Sequence, residues 1–157
     1  MTREDAINNI LDEIGDALVI STTGKISREL YELRIKRGEE PNDFYMMGSM
    51  GHALPIGIGV ALATDKEVVV IDGDGAALMQ MGAIATMKHY KLNHKNLRHY
   101  VLNNNSYDST GGQETTYFPE LFPNTETIFV DKGCRDDLGR IPLTPKQIVK
   151  NFRNKIK

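Results

Sequence analysis

Asp74 stands between two glycines at the end of an apolar run, Val68-Val69-Val70-Ile71-Asp72-Gly73-Asp74-Gly75, and 30 positions later Asn103-Asn104-Asn105 closes a second apolar run. A β-branched run that stops at Gly-Asp-Gly has the character of a buried parallel strand delivering a carboxylate to its carboxyl end, where glycines let a ligand approach the backbone. The helix expected to follow would begin with free N–H groups and the positive end of a dipole, which suits a phosphate beside that carboxylate. The Asn triplet ends a neighbouring strand expected over residues 98–102, so one acid and one amide oxygen would meet at the same point. In outline, this is a site for a magnesium ion and a diphosphate. Gly-Asp-Gly by itself also describes a structural Asx turn. The ordered combination of strand, Gly-Asp-Gly, helix, strand and Asn-Asn is what points to chemistry.

The elements that must position these residues are legible from pattern. Residues 3–14 read as a helix with Thr2 as N-cap and Asp5 three residues on, burying Ala6, Ile7, Ile10, Leu11 and Ile14 along one face. A buried strand is expected over 17–20, and the polar turn Ser21-Thr22-Thr23-Gly24-Lys25 at its carboxyl end reads either as a ligand edge or as a plain solvated connection. Ser27 is placed to cap a helix reaching about residue 37, followed by an exposed linker over 38–43. A short strand over 44–47 runs into Gly48-Ser49-Met50-Gly51-His52, and a glycine-containing helix over 53–63 is suited to close packing on a sheet, with Pro55 tolerable in its first turn. Thr144, Pro145 and Gln147 form a capping box for a last helix, with Ile148, Phe152 and Ile156 on one face, that is either structural or an interface helix. Alternating strands and helices predict one α/β domain over residues 1–157: an open, mostly parallel sheet with helices on both faces.

Composition narrows the function classes. The chain has 157 residues, 40% of them hydrophobic, and a net charge of −2, values typical of a single globular domain. Its basic residues are scattered, and residues 88–99 read as a solvated loop with cationic decoration, so no nucleic-acid partner is expected. The N-terminus lacks an apolar signal core and the longest apolar stretch, 53–63, is too short to span a bilayer, so no membrane is expected either. A single cysteine, Cys134, excludes an intrachain disulfide and fits a reducing, cytoplasmic compartment. His89, His94 and His99 lack metal-ligand company and read as ordinary surface or helix residues.

The order of Gly73-Asp74-Gly75 and Asn103-Asn104 resembles the signature of thiamine-diphosphate enzymes. That resemblance implies a thiamine-diphosphate-binding fold in which Asp74, the side chain of Asn104 and the main-chain oxygen of Ser106 hold Mg2+. The interval Lys91-Leu92-Asn93-His94-Lys95-Asn96-Leu97 is longer than usual in this family, in a helix-to-strand loop where insertions are tolerated. The resemblance also implies that Gly48, in Gly48-Ser49-Met50-Gly51, offers its carbonyl to the cofactor's pyrimidine, while Met50 wedges the cofactor into a bent shape. Methionine suits such a wedge, being apolar and adaptable, whereas Met46 and Met47 read as core filling. Gly73, Gly75, Ala76, Ser49, Ser109, Thr110 and Gly111 complete the implied cofactor-binding set. His52, next to the wedge, is a candidate proton shuttle or anion contact.

Five ordered segments narrow the likeness: residues 22–30, 48–53, 73–79, 108–113 and Arg135-Asp136-Asp137-Leu138-Gly139-Arg140 look like phosphonopyruvate decarboxylases and, slightly less closely, the β subunits of sulfopyruvate decarboxylases. The implied activity is decarboxylation of a small anionic 2-oxo acid, 3-phosphonopyruvate ahead of 3-sulfopyruvate, with Lys25, Arg28 and His52 near the anion. The family's pyrimidine-binding domain, which supplies an activating glutamate, has no counterpart in these residues. A separate pyrimidine-domain (alpha-type) subunit is therefore expected, in a heterotetramer or larger assembly. Between Gln113 and Thr127 the family's helix–strand–helix unit is also absent, so the fold should be shortened near the C-terminus. That shortening keeps open a reading of another class, a non-catalytic thiamine-diphosphate-binding or interaction module.

Overall fold

The computed structural model describes residues 1–133 and 135–157, and Cys134 lies outside the described residues. Five strands, β1 (Leu18–Ser21), β2 (Phe44–Tyr45), β3 (Val68–Gly73), β4 (Leu97–Asn103) and β5 (Glu126–Phe129), form one sheet in the order β2-β1-β3-β4-β5. Every neighbouring pair is parallel, so the mostly parallel sheet expected from the sequence is parallel throughout. The helices are α1 (Arg3–Ile14), α2 (Lys25–Lys36), α3 (Ala53–Ala63), α4 (Asp74–Met79), α5 (Gly82–His89) and α6 (Pro145–Ile156). Alternation along the strands decides the layers. Val19, Val69, Ile71, Tyr100 and Leu102 face the buried sides of α1 and α2, while Leu18, Ile20, Val68, Val70 and Val101 face α3 and α5. α6 covers the β2 edge, with Ile148 in one layer and Phe152 in the other, its ring edge-on to Phe44.

Caps and burial together set the helix limits. Thr2 and Asp5 close a reciprocal capping box on α1, as Thr144 and Gln147 do on α6. Such a cap contributes about 1 kcal/mol, whereas each fully buried aliphatic side chain contributes about 1.5–3 kcal/mol, so Ile7, Ile10, Leu11 and Ile14 outweigh the cap in holding α1. Gly57 lets α3 meet the sheet: a Cβ there would lie 2.3 Å from Val70 Cγ2. Gly59 has nothing within 4 Å and faces outward, so close packing explains only one of the two glycines. The far end of α2 is pinned to β2 by the buried Arg34, whose Nε and Nη2 donate to Asp43 at 2.7 and 3.1 Å.

Several local expectations change in three dimensions. Ser27 lies inside α2, because the helix begins two residues earlier, after Gly24; its hydroxyl donates back to the Thr22 carbonyl at 2.7 Å and meets Ser21 Oγ at 2.7 Å. The strand expected over 44–47 is limited to Phe44–Tyr45, and Met47 is 46% exposed, so only Met46 fills the core. The helical interval after Gly-Asp-Gly is two helices, α4 and α5, interrupted at Gln80 and Met81. His99 is buried in β4 between Asp72 Oδ2 at 3.2 Å and Thr125 Oγ1 at 2.9 Å, not an ordinary surface residue. Residues 114–125 contain only the short 3-10 helix Pro119–Leu121, in agreement with the shortening expected near the C-terminus.

Candidate functional site

Parallel strands place all their carboxyl ends on one edge, and the loops leaving that edge enclose a cleft of about 250 Å³. Thr22, Thr23 and Gly24 enter it after β1, Gly73, Asp74, Gly75 and Ala76 after β3, and Asn104, Ser106, Ser109 and Thr110 after β4; Met50 closes the side nearest α3. Most of the site residues expected from spacing or implied by the resemblance therefore share one cavity. Gly48, Ser49, Gly111 and His52 do not line it.

Asp74 begins α4 and is buried, with Thr115 Oγ1 donating to its Oδ2 at 2.5 Å and the N–H groups of Gly75, Asp74 and Ser106 directed at the carboxylate. Burial nevertheless raises its pKa, because desolvation outweighs these donors. The Ser106 N–H also donates to Asn104 Oδ1 at 3.1 Å. Asp74 and Asn104 thus bring their oxygens to a common donor, although they leave different strands. A buried carboxylate beside an amide oxygen is a pair of hard donors of the kind a divalent cation takes. Among the described residues no group of three His, Cys, Asp or Glu side chains could hold a softer metal.

The opposite wall is the start of α2. No side chain caps this helix at Gly24, so its first N–H groups remain available to an anion. Beside them Thr22 is only 3% exposed, and its hydroxyl has no hydrogen-bond partner. An orphaned buried hydroxyl on the wall of a cavity fits a ligand oxygen. Sequence reading left this turn undecided, since Ser-Thr-Thr-Gly-Lys serves equally in a solvated connection. Thr23 Oγ1 accepts the Gly48 N–H at 2.9 Å and so ties that turn to the Gly48 segment.

The basic residues take separate places. Lys25 lines the cleft and donates to the Arg135 carbonyl at 2.8 Å, while Arg28 Nη1 points to the Leu138 carbonyl at 3.5 Å. Arg135 bridges Glu4, Glu32 and Asp137, so the Arg135-to-Arg140 segment braces α1 and α2 beside the cleft. Its pKa is raised, first by the Asp137 hydrogen bond. His52 is not among the residues lining this cleft: its Nδ1 lies 3.2 and 3.4 Å from the Ser49 and Met50 carbonyls, and it lines a different cavity with Ser49, Ile56 and Pro145.

Close packing joins the walls. Gly51, at φ +90°, leaves no room for a side chain, because a Cβ there would sit 2.8 Å from Met79 Cβ and 3.1 Å from the Ala76 carbonyl. The Met50 turn therefore rests on α4. Met50 itself is 40% exposed, presenting an apolar side chain at the mouth.

An open parallel sheet that gathers an acid, an amide and a helix start at one carboxyl edge has the arrangement in which α/β proteins hold phosphate-bearing ligands. The profile of the family described as "Thiamine pyrophosphate enzyme, C-terminal TPP binding domain" matches residues 22–138, and this chain belongs to that family. It is 37% identical, over 186 aligned positions, to a phosphonopyruvate decarboxylase of Streptomyces viridochromogenes, covering 97% of this chain and 45% of that protein. A phosphonopyruvate decarboxylase of Streptomyces hygroscopicus is 49% identical over 115 residues, 73% of this chain and 27% of the relative. The sulfopyruvate decarboxylase subunit beta of Methanocaldococcus jannaschii is 38% identical over 133 residues, 84% of this chain and 65% of the relative. The chain thus spans less than two thirds of each of these relatives. The first alignment is longer than the chain itself, so that relative carries residues that this chain lacks. No helix among the described residues is long and apolar enough to cross a membrane.

Proposed function

We propose that this chain is the diphosphate-binding part of a thiamine-diphosphate-dependent decarboxylase that converts 3-phosphonopyruvate to phosphonoacetaldehyde and carbon dioxide. The observation that carries this reading is the convergence of the Asp74 and Asn104 oxygens on the Ser106 N–H, in the cleft of a chain from this family. When bound, thiamine diphosphate supplies the electron sink for decarboxylation.

The protein residues bind and orient. Asp74, Asn104 and the Ser106 carbonyl hold magnesium, whose charge would favour the ionised form of the buried Asp74. The N–H groups at the start of α2 and the Thr22 hydroxyl would take diphosphate oxygens, and Gly73, Gly75 and Ala76 would let the backbone approach them. Met50 would bear on the cofactor at the mouth, carried there by the Gly48-Ser49 turn outside the cleft lining, and Ser109 and Thr110, followed by Gly111, would line the other side. A phosphonate carries up to two negative charges, and Lys25 with the Ser109 and Thr110 hydroxyls offers it donors. His52 is assigned no step, because it lines a different cavity and not this cleft.

A partner subunit with a pyrimidine-binding domain completes the site, in a two-fold assembly of at least two copies of each chain. The exposed Met50 and Met79 at the cleft mouth support such a partner, since apolar side chains at the rim of a ligand site gain by being covered. A second reading, the beta subunit of a sulfopyruvate decarboxylase, is supported by the 38% identity to a relative of that name, of which the chain covers 65%. A third, a non-catalytic cofactor-binding module, is favoured by the residues this chain lacks relative to the first relative.

Two measurements test the proposal. Calorimetry of thiamine diphosphate binding should show a requirement for a divalent cation, removed by Asp74→Ala; affinity unchanged in that variant, or with the metal chelated, would overturn the site. Steady-state assays of the chain reconstituted with a pyrimidine-domain subunit should favour phosphonopyruvate over sulfopyruvate and pyruvate. A preference for sulfopyruvate selects the second reading, and no turnover with any of them selects the third.

A further inference from the structure

Asn104 can offer either an oxygen or an NH2 group to the cleft, depending on a half-turn of its amide. Only the oxygen can bind a cation. The Asn104 Nδ2 donates to Asp108 Oδ2 at 2.6 Å, and its Oδ1 accepts from the Ser106 N–H at 3.1 Å. Reversing the amide would set its oxygen against the Asp108 carboxylate and its NH2 group against the Ser106 N–H, replacing two attractions by two repulsions. The same Asp108 oxygen accepts the Gly133 N–H at 2.9 Å, so the carboxylate is fixed from the segment that follows β5.

We propose that Asp108 is a positioning residue which holds the Asn104 amide with its oxygen toward Asp74, and so presets the metal site before any cation arrives. This inference rests on the metal-binding reading of Asp74 and Asn104 and deepens it. Asp108 acts through Asn104, as hydrogen-bonded partners of metal ligands commonly do, and loss of such a partner typically lowers metal affinity by about 10–100-fold. The carboxylate suits the task because it is acceptor-only when ionised: it can hold an NH2 group but cannot donate to the oxygen.

The test uses Mn2+ as a spin-active stand-in for magnesium, titrated into the purified chain with thiamine diphosphate and followed by electron paramagnetic resonance. Asp108→Ala should weaken Mn2+ by about 10–100-fold, while Asp108→Asn, which can still accept from Nδ2 through its own oxygen, should recover most of that loss. The exchange variant Asn104→Asp/Asp108→Asn should also bind Mn2+ well, because a carboxylate at position 104 shows an oxygen whichever way it turns. In the metal-free chain, the Asn104 side-chain amide proton resonances should move upfield in Asp108→Ala. Wild-type Mn2+ affinity in Asp108→Ala overturns the inference, and so does equal weakening in Asp108→Ala and Asp108→Asn, which would make charge the cause. Should Asp108→Ala fail to fold, Asp108→Asn and the exchange variant decide: weak binding by both overturns the inference. Absence of Mn2+ binding by the wild-type chain instead defeats the site assignment itself.

Discussion

The edge of the Tyr107 ring occupies the space that a side chain on Gly75 would need: a Cβ built there lies 2.5 Å from Tyr107 Cε1 and 2.8 Å from Cδ1. The first turn of α4 and the loop after β4 are therefore in direct contact, beside Asp74 and Asn104 in the same cleft. Gly75→Ala should force the ring or the helix to move, at about 1–3 kcal/mol of stability. Chemical denaturation would measure it. In a double variant with Tyr107→Ser the cost should shrink, and strict additivity of the two changes would contradict a shared contact.

Met50 gives the opposite expectation. At 40% exposure it contributes little to the core, so Met50→Ala should stay well short of the 2–5 kcal/mol that removing a buried methionine side chain costs. Diphosphate anchoring lies elsewhere in the cleft, so cofactor affinity should be largely retained while turnover of the reconstituted enzyme falls. A large drop in melting temperature would identify Met50 as a packing residue instead.

Thr22 separates stability from binding. Its buried hydroxyl has no partner, and removing an unpaired buried polar group while keeping the side-chain shape is neutral or stabilising, by up to about 1–3 kcal/mol. Thr22→Val should therefore match or exceed the wild type in stability, yet bind thiamine diphosphate several-fold more weakly, on the order of the 0.5–1.5 kcal/mol of a hydrogen bond. Thermal unfolding with and without cofactor reads both effects together. Unchanged cofactor affinity would refute a ligand role for the hydroxyl.

Tyr100 makes stability depend on alkaline pH. Burial pushes its phenol up to about 12 from an ordinary value of 10.0. The folded state therefore keeps the proton after the unfolded chain has released it. The stability this group contributes is complete below about pH 10 and disappears as pH rises through about 12. Urea midpoints compared between about pH 9 and about pH 11.5 should fall further in the wild type than in Tyr100→Phe, which has no phenol to titrate. Parallel falls in the two proteins would exclude the phenol as a source.

What the sequence by itself determined is what acts over a few residues. Thr2 and Asp5, or Thr144 and Gln147, specify helix starts because each cap bonds backbone three positions away. The apolar run of β3 specifies a strand buried on both faces, and parallel pairing then brings every strand's carboxyl end, with Asp74 and Asn104, to one edge. The tertiary structure alone decided which polar atoms are paired across it. Thr22 belongs to a polar turn with no distinguishing pattern, and its hydroxyl is buried and orphaned only in the folded chain, where the Thr22 N–H donates to the Ile71 carbonyl. His99 is carried inside by β4 and held by Asp72, 27 positions away, while Lys25 meets the Arg135 carbonyl across 110 positions. The cavity that His52 lines and the break between α4 and α5 likewise appear only in the folded chain. Helical and strand periods are properties of neighbouring residues and can be read along the chain. The partner of a buried polar group is chosen by whichever distant segment the sheet brings against it, and desolvation makes that choice costly to leave unmade.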